Sequence, residues 1–165
     1  PEGYYEIPLG EPDVKREGKD ITILTIGATL YRALEAAKTL EEKYGMSAEV
    51  IDARSLVPFN YEKVLASVKK TGRIVIAGDA TARGSFLNDL ARNITELAFD
   101  YLDAPAVVLG SRDWITPAYE LEYAFFPQPD SFLDIIHEKI VPLQGYVPTR
   151  NYTDAEQIRR AKEGI

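Results

Sequence analysis

The side chains best placed to do chemistry lie in and just beyond the loop that begins at Gly78. Asp79 and Arg83 are its charged residues, and Gly84 and Ser85 lead into a predicted helix. Open α/β sheets bind ligands beyond the carboxyl ends of their strands, and free amides at a helix N-terminus favour anions. Arg83 beside those amides could hold a carboxylate or a phosphate. The alternative is that Arg83 pairs with Asp79 and the loop packs at a subunit contact.

Other patterns of catalytic or cofactor-binding residues are missing from the sequence. The turn Gly27–Thr29 lacks the spaced glycines of a dinucleotide site, and no phosphate-binding P-loop occurs. His137 is the only histidine and stands near a predicted helix end, where a structural role is expected. The chain has no cysteine, which excludes disulfides and thiolate ligands. We therefore expect no catalytic, cofactor-binding or metal-binding residues in this chain.

A group of aromatic residues follows the last predicted strand. It comprises Trp114, Tyr119, Tyr123, Phe125 and Phe126 among several prolines. Such residues either cover a core or anchor an interface, because tryptophan and tyrosine are favoured at interface centres. Both interpretations stay open, and Trp114, Tyr119, Tyr123 and Phe126 are the candidate interface residues.

Alternating strands and helices must position these side chains. The β-branched run Ile21–Ile26 predicts a buried strand, residues 29–44 show helical periodicity, and residues 49–53 form a second strand. This βαβ unit requires a right-handed crossover. Further helices are predicted at residues 61–70, 85–102 and 130–141, the last capped by Asp130, and further strands at 73–77 and 106–109. The fold class is therefore a three-layer α/β/α domain with about five strands.

Three regions are expected along the chain. Residues 1–20 form a leading segment with an edge strand near residues 13–17, and residues 21–142 form the α/β domain. Residues 143–165 form a C-terminal tail with a short helix, because Thr153 and Glu156 fit a capping box.

Composition limits the partners of this chain. Its 165 residues carry a net charge of −7, which disfavours nucleic acids and anionic membranes but suits a basic protein partner. No apolar stretch reaches membrane-spanning length and no signal peptide is apparent, so a cytoplasmic location is expected. The only methionine is Met46, so we expect a piece of a longer protein.

The order of several short segments resembles the C-terminal domain of the transketolase superfamily. The nearest resemblance is to the β-type subunit of thiamine diphosphate-dependent 2-oxo acid dehydrogenases of the pyruvate, branched-chain and acetoin types. The matching stretches are Ile7–Gly10, Lys15–Gly18, Ile21–Ala28, Ala33–Ala36, Ala48–Pro58, Ser67–Arg73 and Phe99–Pro105, followed by Asp113, Pro117, Leu121, Glu122 and Pro127. The resemblance spans roughly residues 5–142.

The resemblance implies a mixed five-stranded sheet with one antiparallel edge strand. It also implies an oxidoreductase as the parent protein, whose thiamine diphosphate and magnesium bind in the preceding domains. This domain would build the dimer interface, contact the other parent domains or an α-type subunit, and receive the subunit-binding domain of the acyltransferase. Asp103 matches the acidic residue that contacts that subunit-binding domain.

Two departures from the family pattern keep alternatives open. Gly78-Asp79 stands where β subunits commonly have His-Glu, and Gly84-Ser85 replaces paired glycines. The tail beyond Gly145 suggests a fused-subunit variant. The alternatives are a stand-alone anion-binding module, or the same domain from a transketolase or a 2-oxo acid:ferredoxin oxidoreductase.

Overall fold

A computed structural model describes residues 2–164, and its centre is one five-stranded sheet. The strands are β1 (Asp13–Arg16), β2 (Ile21–Ile26), β3 (Ala48–Asp52), β4 (Ile74–Thr81) and β5 (Val107–Ser111). Their order is β1-β3-β2-β4-β5, with β1 antiparallel to β3 and the other pairs parallel. The predicted mixed, mostly parallel sheet is confirmed. Pro1 and Ile165, the ends of the predicted leading segment and tail, lie outside the described residues.

Helices cover both faces of the sheet. They are α1 (Thr29–Tyr44), α2 (Glu62–Thr71), α3 (Phe86–Ala98), α4 (Glu122–Phe125), α5 (Pro129–Lys139) and α6 (Asp154–Glu163). Ile21 and Ile23 of β2 belong to the core cluster that includes α1 and α5, whereas Leu24 belongs to the cluster that includes α2 and α3. Successive side chains of a strand point to opposite faces, so β2 supplies both cores. The three-layer architecture is confirmed. Among residues 2–164, no helix is both long and apolar enough to pass through a membrane.

The end of β4 differs from the sequence-based prediction. The strand continues to Thr81, although residues 78–84 were expected to form a loop. The pairing with β5 shifts between Ala77 and Thr81, so residues 78–80 form an irregular stretch of strand. Gly110 permits this close approach, because a Cβ there would lie 2.5 Å from the Ala82 nitrogen. Because of this irregular stretch, a β-bulge, the residues that follow Thr81 lie beside the end of β5.

Two helix boundaries also differ. Helix α3 ends at Ala98, and residues Phe99–Tyr101 form a 3₁₀ turn instead of extending the helix to residue 102. Helix α5 is capped by Gln128 and not by Asp130, because Gln128 and Ser131 form a reciprocal capping box. Asp130 lies in the first turn, where its charge still favours the helix dipole.

The tail is attached to α5 through polar contacts. The carboxylate of Asp134, which is fully buried, accepts hydrogen bonds from the Tyr146 hydroxyl (2.7 Å), the Thr149 amide (2.8 Å) and the Thr149 hydroxyl (2.7 Å). His137 Nδ1 accepts a hydrogen bond from the Leu143 amide at 2.9 Å, which gives this histidine the structural role expected for it. Leu143 is buried in the core. The first part of the tail thus packs as part of the domain.

Candidate functional site

Asp79 lies beyond the regular part of β4 and is held by α1. Its Oδ1 accepts hydrogen bonds from Thr29 Oγ1 at 2.8 Å and from Arg32 Nη1 at 3.1 Å. The Arg32 guanidinium also lies 5.8 Å from the centre of the Phe126 ring. Asp79 therefore joins the carboxyl end of the sheet to the first turn of α1 and to the segment that bears the aromatic residues.

Arg83 does not pair with Asp79, so the predicted pair is wrong. Its Nη1 lies 3.3 Å from Asp113 Oδ2, and both side chains are exposed. The reason is the extended β4 strand, which keeps Thr81 beside Ser111 and brings Arg83 to the end of β5. Because Arg83 already has a carboxylate partner in solvent, its role as an anion ligand stays a prediction.

Gly84 and Ser85 complete the turn into α3. Gly84 is exposed with a φ of +65°, and Ser85 occupies the N-cap position with an extended backbone. The Ser85 hydroxyl makes no capping bond, and it is buried without a hydrogen-bond partner among the described residues. Asn88 closes the turn instead, by donating from Nδ2 to the Ala82 carbonyl at 3.0 Å. The structure thus brings Arg83, Gly84 and Ser85 together but leaves Asp79 apart from them.

The aromatic group divides into a buried part and an exposed part. Phe125 is buried and Phe126 is partly buried, whereas Tyr119 and Tyr123 are 83% and 66% exposed. The exposed Tyr119 and Tyr123, with the neighbouring exposed Ile115 and Leu121, form what we call the aromatic surface. Trp114 is also exposed, but it lines a cleft beside β5. Contiguous exposed apolar patches on soluble proteins commonly mark interaction sites. The use of the aromatic surface as an interface stays a prediction.

Asp103 follows the 3₁₀ turn after α3 and packs against the end of α2. Its amide donates to the Gly72 carbonyl at 2.8 Å, and its side chain lies over the Gly72 Cα. Gly72 caps α2 with a φ of +68°, so glycine is favoured both by backbone conformation and by the close carboxylate. The Asp103 side chain is exposed, and no donor among residues 2–164 bonds to it.

Sequence reasoning missed one charged residue, Arg112, at the end of β5. It is partly buried and faces a cleft between β5 and the tail. Its position directly after a parallel strand was the available signal, because such positions commonly face ligands. For metal binding, the described part of the chain contains no group of three or more histidine, aspartate or glutamate side chains suited to a cation.

Comparison with protein families identifies the fold family. The family described as "Transketolase, C-terminal domain" matches residues 10–132. The chain belongs to the transketolase C-terminal domain family. The match includes all five strands and ends within α5, so the tail that packs on α5 lies outside it.

Several relatives of this transketolase C-terminal domain are β subunits. The acetoin:2,6-dichlorophenolindophenol oxidoreductase subunit beta of Bacillus subtilis is 40% identical over 139 residues, covering 84% of this chain and 40% of the relative. The 2-oxoisovalerate dehydrogenase subunit beta of Pseudomonas aeruginosa is 42% identical, covering 78% and 35%. The pyruvate dehydrogenase E1 component subunit beta of Bacillus subtilis is 37% identical, covering 81% and 41%. The chain thus spans about two fifths of the length of these relatives.

Solved structures show the same fold. A split-gene transketolase, described as an inactive β4 tetramer, matches with a TM-score of 0.60 and 32% identity, covering 74% of this chain and 39% of that chain. The transketolase of Campylobacter jejuni matches with a TM-score of 0.53 at 16% identity, covering 77% and 18%. The second likeness supports the fold alone.

Proposed function

We propose that this chain is the C-terminal domain of the decarboxylating component of a thiamine diphosphate-dependent 2-oxo acid dehydrogenase, an oxidoreductase of the cytoplasm. Relatives named as pyruvate, 2-oxoisovalerate and acetoin enzymes, at 37–42% identity, support this class. Thiamine diphosphate and magnesium would bind in the preceding domains of the parent protein. The contribution of this domain is assembly, and the observation that carries this proposal is the exposed aromatic surface.

The aromatic surface would contact a second copy of the parent protein. Tyr119 and Tyr123 supply large, rigid side chains, which commonly dominate binding energy when they are buried in the centre of an interface. Their backbone is tied to the domain, since Arg150 of the tail donates to the Tyr123 carbonyl at 3.2 Å. A surface that is fixed before binding loses less conformational entropy on association.

The test of this contact is the oligomeric state of the parent protein. Replacing Tyr119 and Tyr123 by serine should raise the dimer dissociation constant about 30-fold or more, from a loss of roughly 2 kcal/mol or more. The control is Phe99→Ser, because Phe99 is 72% exposed but lies at the end of α3. If sedimentation equilibrium gives the same dissociation constant for the wild-type protein, the tyrosine double variant and Phe99→Ser, the aromatic surface does not form the dimer contact.

Docking of the acyltransferase is the second part of the proposal. Asp103 presents an exposed carboxylate without a donor among the described residues, and the chain carries a net charge of −7. Both features suit a basic subunit-binding domain, because complementary charge speeds association. A separate α-type subunit, or domains fused to this one, would complete the component.

The docking test compares two exposed aspartates in the parent component. Asp103→Ala should weaken acyltransferase binding by roughly 1–3 kcal/mol, because a charged hydrogen-bond partner is then left unpaired. Asp100→Ala, three residues earlier and also exposed, is the matched control. Unchanged affinity of Asp103→Ala at low salt would leave Asp103 as a turn residue.

A further inference from the structure

A cleft of about 850 Å³ separates the edge strand β5 from the tail helix α6. Its lining includes the whole of β5 and the adjoining residues 105–114 on one side, and residues of α6 on the other. The tail wall is attached to α5, because Lys139 Nζ bonds to Gln157 Oε1 at 3.1 Å and pairs with Asp154. A cleft of this volume is in the range of small-molecule sites.

Arg112 is the positively charged residue of this cleft lining that has no ionic partner among residues 2–164. No carboxylate of residues 2–164 lies within salt-bridge distance of it, and its Nε is buried without an acceptor among those residues. A buried donor without a protein acceptor is destabilising unless a bound water, an ion or another group satisfies it. The Nη groups of Arg112 are not among these buried atoms and donate no hydrogen bond to residues 2–164, so they are available for an oxyanion in the cleft.

The other positive charges of the cleft are already paired. Arg83 pairs with Asp113, Arg159 pairs with Glu156 and Glu163, and Arg160 pairs with Glu156. Lys139 pairs with Asp154, as described above, and the carboxylate of Glu138 accepts the amide of Tyr152. Arg112 is thus the cation of this cleft lining that lacks a carboxylate partner among residues 2–164.

Burial makes an anion at Arg112 more favourable. Desolvation lowers the pKa of the Arg112 guanidinium. Arg150 and Arg160 contribute in the same direction, whereas Tyr152 and Glu156 act against it. Arginine nevertheless stays protonated in proteins. A bound anion would offset the charge repulsion among the three arginines, and the planar guanidinium fork matches the geometry of carboxylates and phosphates.

Two aromatic side chains give the cleft an apolar wall. Trp114 and Tyr152 line it, and the Arg112 guanidinium lies 5.9 Å from the Trp114 ring centre. Tyr152 is partly buried against the core, so its ring is held in place. Flat apolar groups pack well against such rings, whereas inorganic ions gain nothing from them.

We propose that this cleft binds a small organic anion, with a carboxylate or phosphate group on Arg112 and a flat ring between Trp114 and Tyr152. Tyr152 and helix α6 lie beyond the family match at residue 132, whereas Arg112 and Trp114 lie within it, so the site is formed jointly by the family domain and this tail. It is also distinct from the loop at Arg83 that the sequence suggested, because Arg83 is paired with Asp113.

Calorimetric titration of the 165-residue chain tests this proposal with three probes. Phenyl phosphate and benzoate distinguish a phosphate from a carboxylate ligand, and inorganic phosphate measures what the ring contributes. We expect saturable binding of at least one aryl anion in the millimolar range or tighter, and weaker binding of inorganic phosphate. The absence of saturable heat for both aryl anions would overturn the proposal.

Variants locate the binding at Arg112. Arg112→Gln should weaken aryl anion binding about 10- to 100-fold, because a charge-assisted bidentate contact is lost, and Arg112→Lys should have an intermediate effect. Arg92→Gln is the control, since Arg92 is exposed on α3 and pairs with Glu96. Equal affinities of Arg112→Gln and the wild-type chain for the aryl anion would contradict the proposal.

A measurement on the wild-type chain tests the site without relying on variants that could fold poorly. The Nε–H resonance of Arg112 in a nitrogen-15 spectrum should shift saturably with the bound probe. The resonance of the exposed Arg92 should stay in place. A saturable shift confined to other arginines would overturn the assignment to Arg112.

Discussion

Neutralising Asp134 should loosen the tail without unfolding the domain. Asp134 is fully buried on α5, and three donors from Tyr146 and Thr149 reach its carboxylate at 2.7–2.8 Å. Asp134→Asn keeps the shape but removes the negative charge, and it replaces one acceptor oxygen by a donor. We expect the free energy of unfolding to fall by about 1–3 kcal/mol, in line with hydrogen bonds to charged groups.

The size of this loss of stability depends on which of the three donors can form hydrogen bonds to water once the contact with Asp134 is lost. Thr149 is exposed, so its amide and hydroxyl are solvated once the tail moves, and the loss there is small. Tyr146 is partly buried against Tyr44 and His137, so its hydroxyl depends more on Asp134. Burial raises the pKa of the Tyr146 phenol, and the hydrogen bond to Asp134 raises it further, so Tyr146 remains a neutral donor. Tyr146→Phe should therefore account for most of the loss.

Guanidinium denaturation of the two single variants and the double variant forms a cycle. If Tyr146 donates to Asp134 as described, the double variant should be less destabilised than the sum of Asp134→Asn and Tyr146→Phe. Hydrogen exchange at the Thr149 amide should also accelerate in Asp134→Asn. Asp100→Asn, an exposed control, should change the free energy of unfolding by less than about 0.5 kcal/mol. Strict additivity with unchanged Thr149 exchange would refute this account of the tail.

Two further predictions concern helix ends. Gly72→Ala should lower the free energy of unfolding by about 1 kcal/mol or more, because Gly72 has a positive φ and lies against the carboxylate of Asp103. In urea denaturation, adding Asp103→Ala should restore part of this loss. If the second substitution restores nothing, the contact between Gly72 and Asp103 is contradicted. Hydrogen bonds from Arg159 and, to a smaller extent, from Arg160 lower the pKa of the Glu156 carboxyl to about 2. An NMR titration should measure this value. The pKa of Glu156 in the folded chain lies below the ordinary 4.5, so its contribution to stability is complete above pH 4.5 and disappears as pH falls through about 2. Arg159→Gln should raise this pKa. A titration midpoint near 4.5 in the wild-type chain would contradict the pairing.

The regular elements could be predicted because their signals are local. The run Ile21–Ile26 and the helical spacing of residues 29–44 specify the first strand and helix without reference to the rest of the chain. The extension of β4 through Gly78 and Asp79 could not be found this way. Both are poor strand formers, and only pairing with β5 keeps them in the sheet.

The side-chain pairings could not be predicted because the partners are far apart in sequence. Asp79 is held by Arg32 of α1, and Arg83 by Asp113 beyond β5, so proximity along the chain suggested the wrong pair. Asp134 offered an unused signal, since a carboxylate among apolar helix positions indicates a buried polar partner. The identity of that partner, in the tail, depends on the tertiary structure.

The most direct test of the proposed parent activity is an assay of the intact parent component with a panel of 2-oxo acids and with acetoin. Pyruvate, branched-chain 2-oxo acids and acetoin would be supplied with thiamine diphosphate and magnesium, and reduction of 2,6-dichlorophenolindophenol would be followed. We expect dye reduction that depends on one of these substrates and on both cofactors. Ketol transfer between sugar phosphates, without dye reduction that depends on any of these substrates, would instead indicate a transketolase and contradict the account.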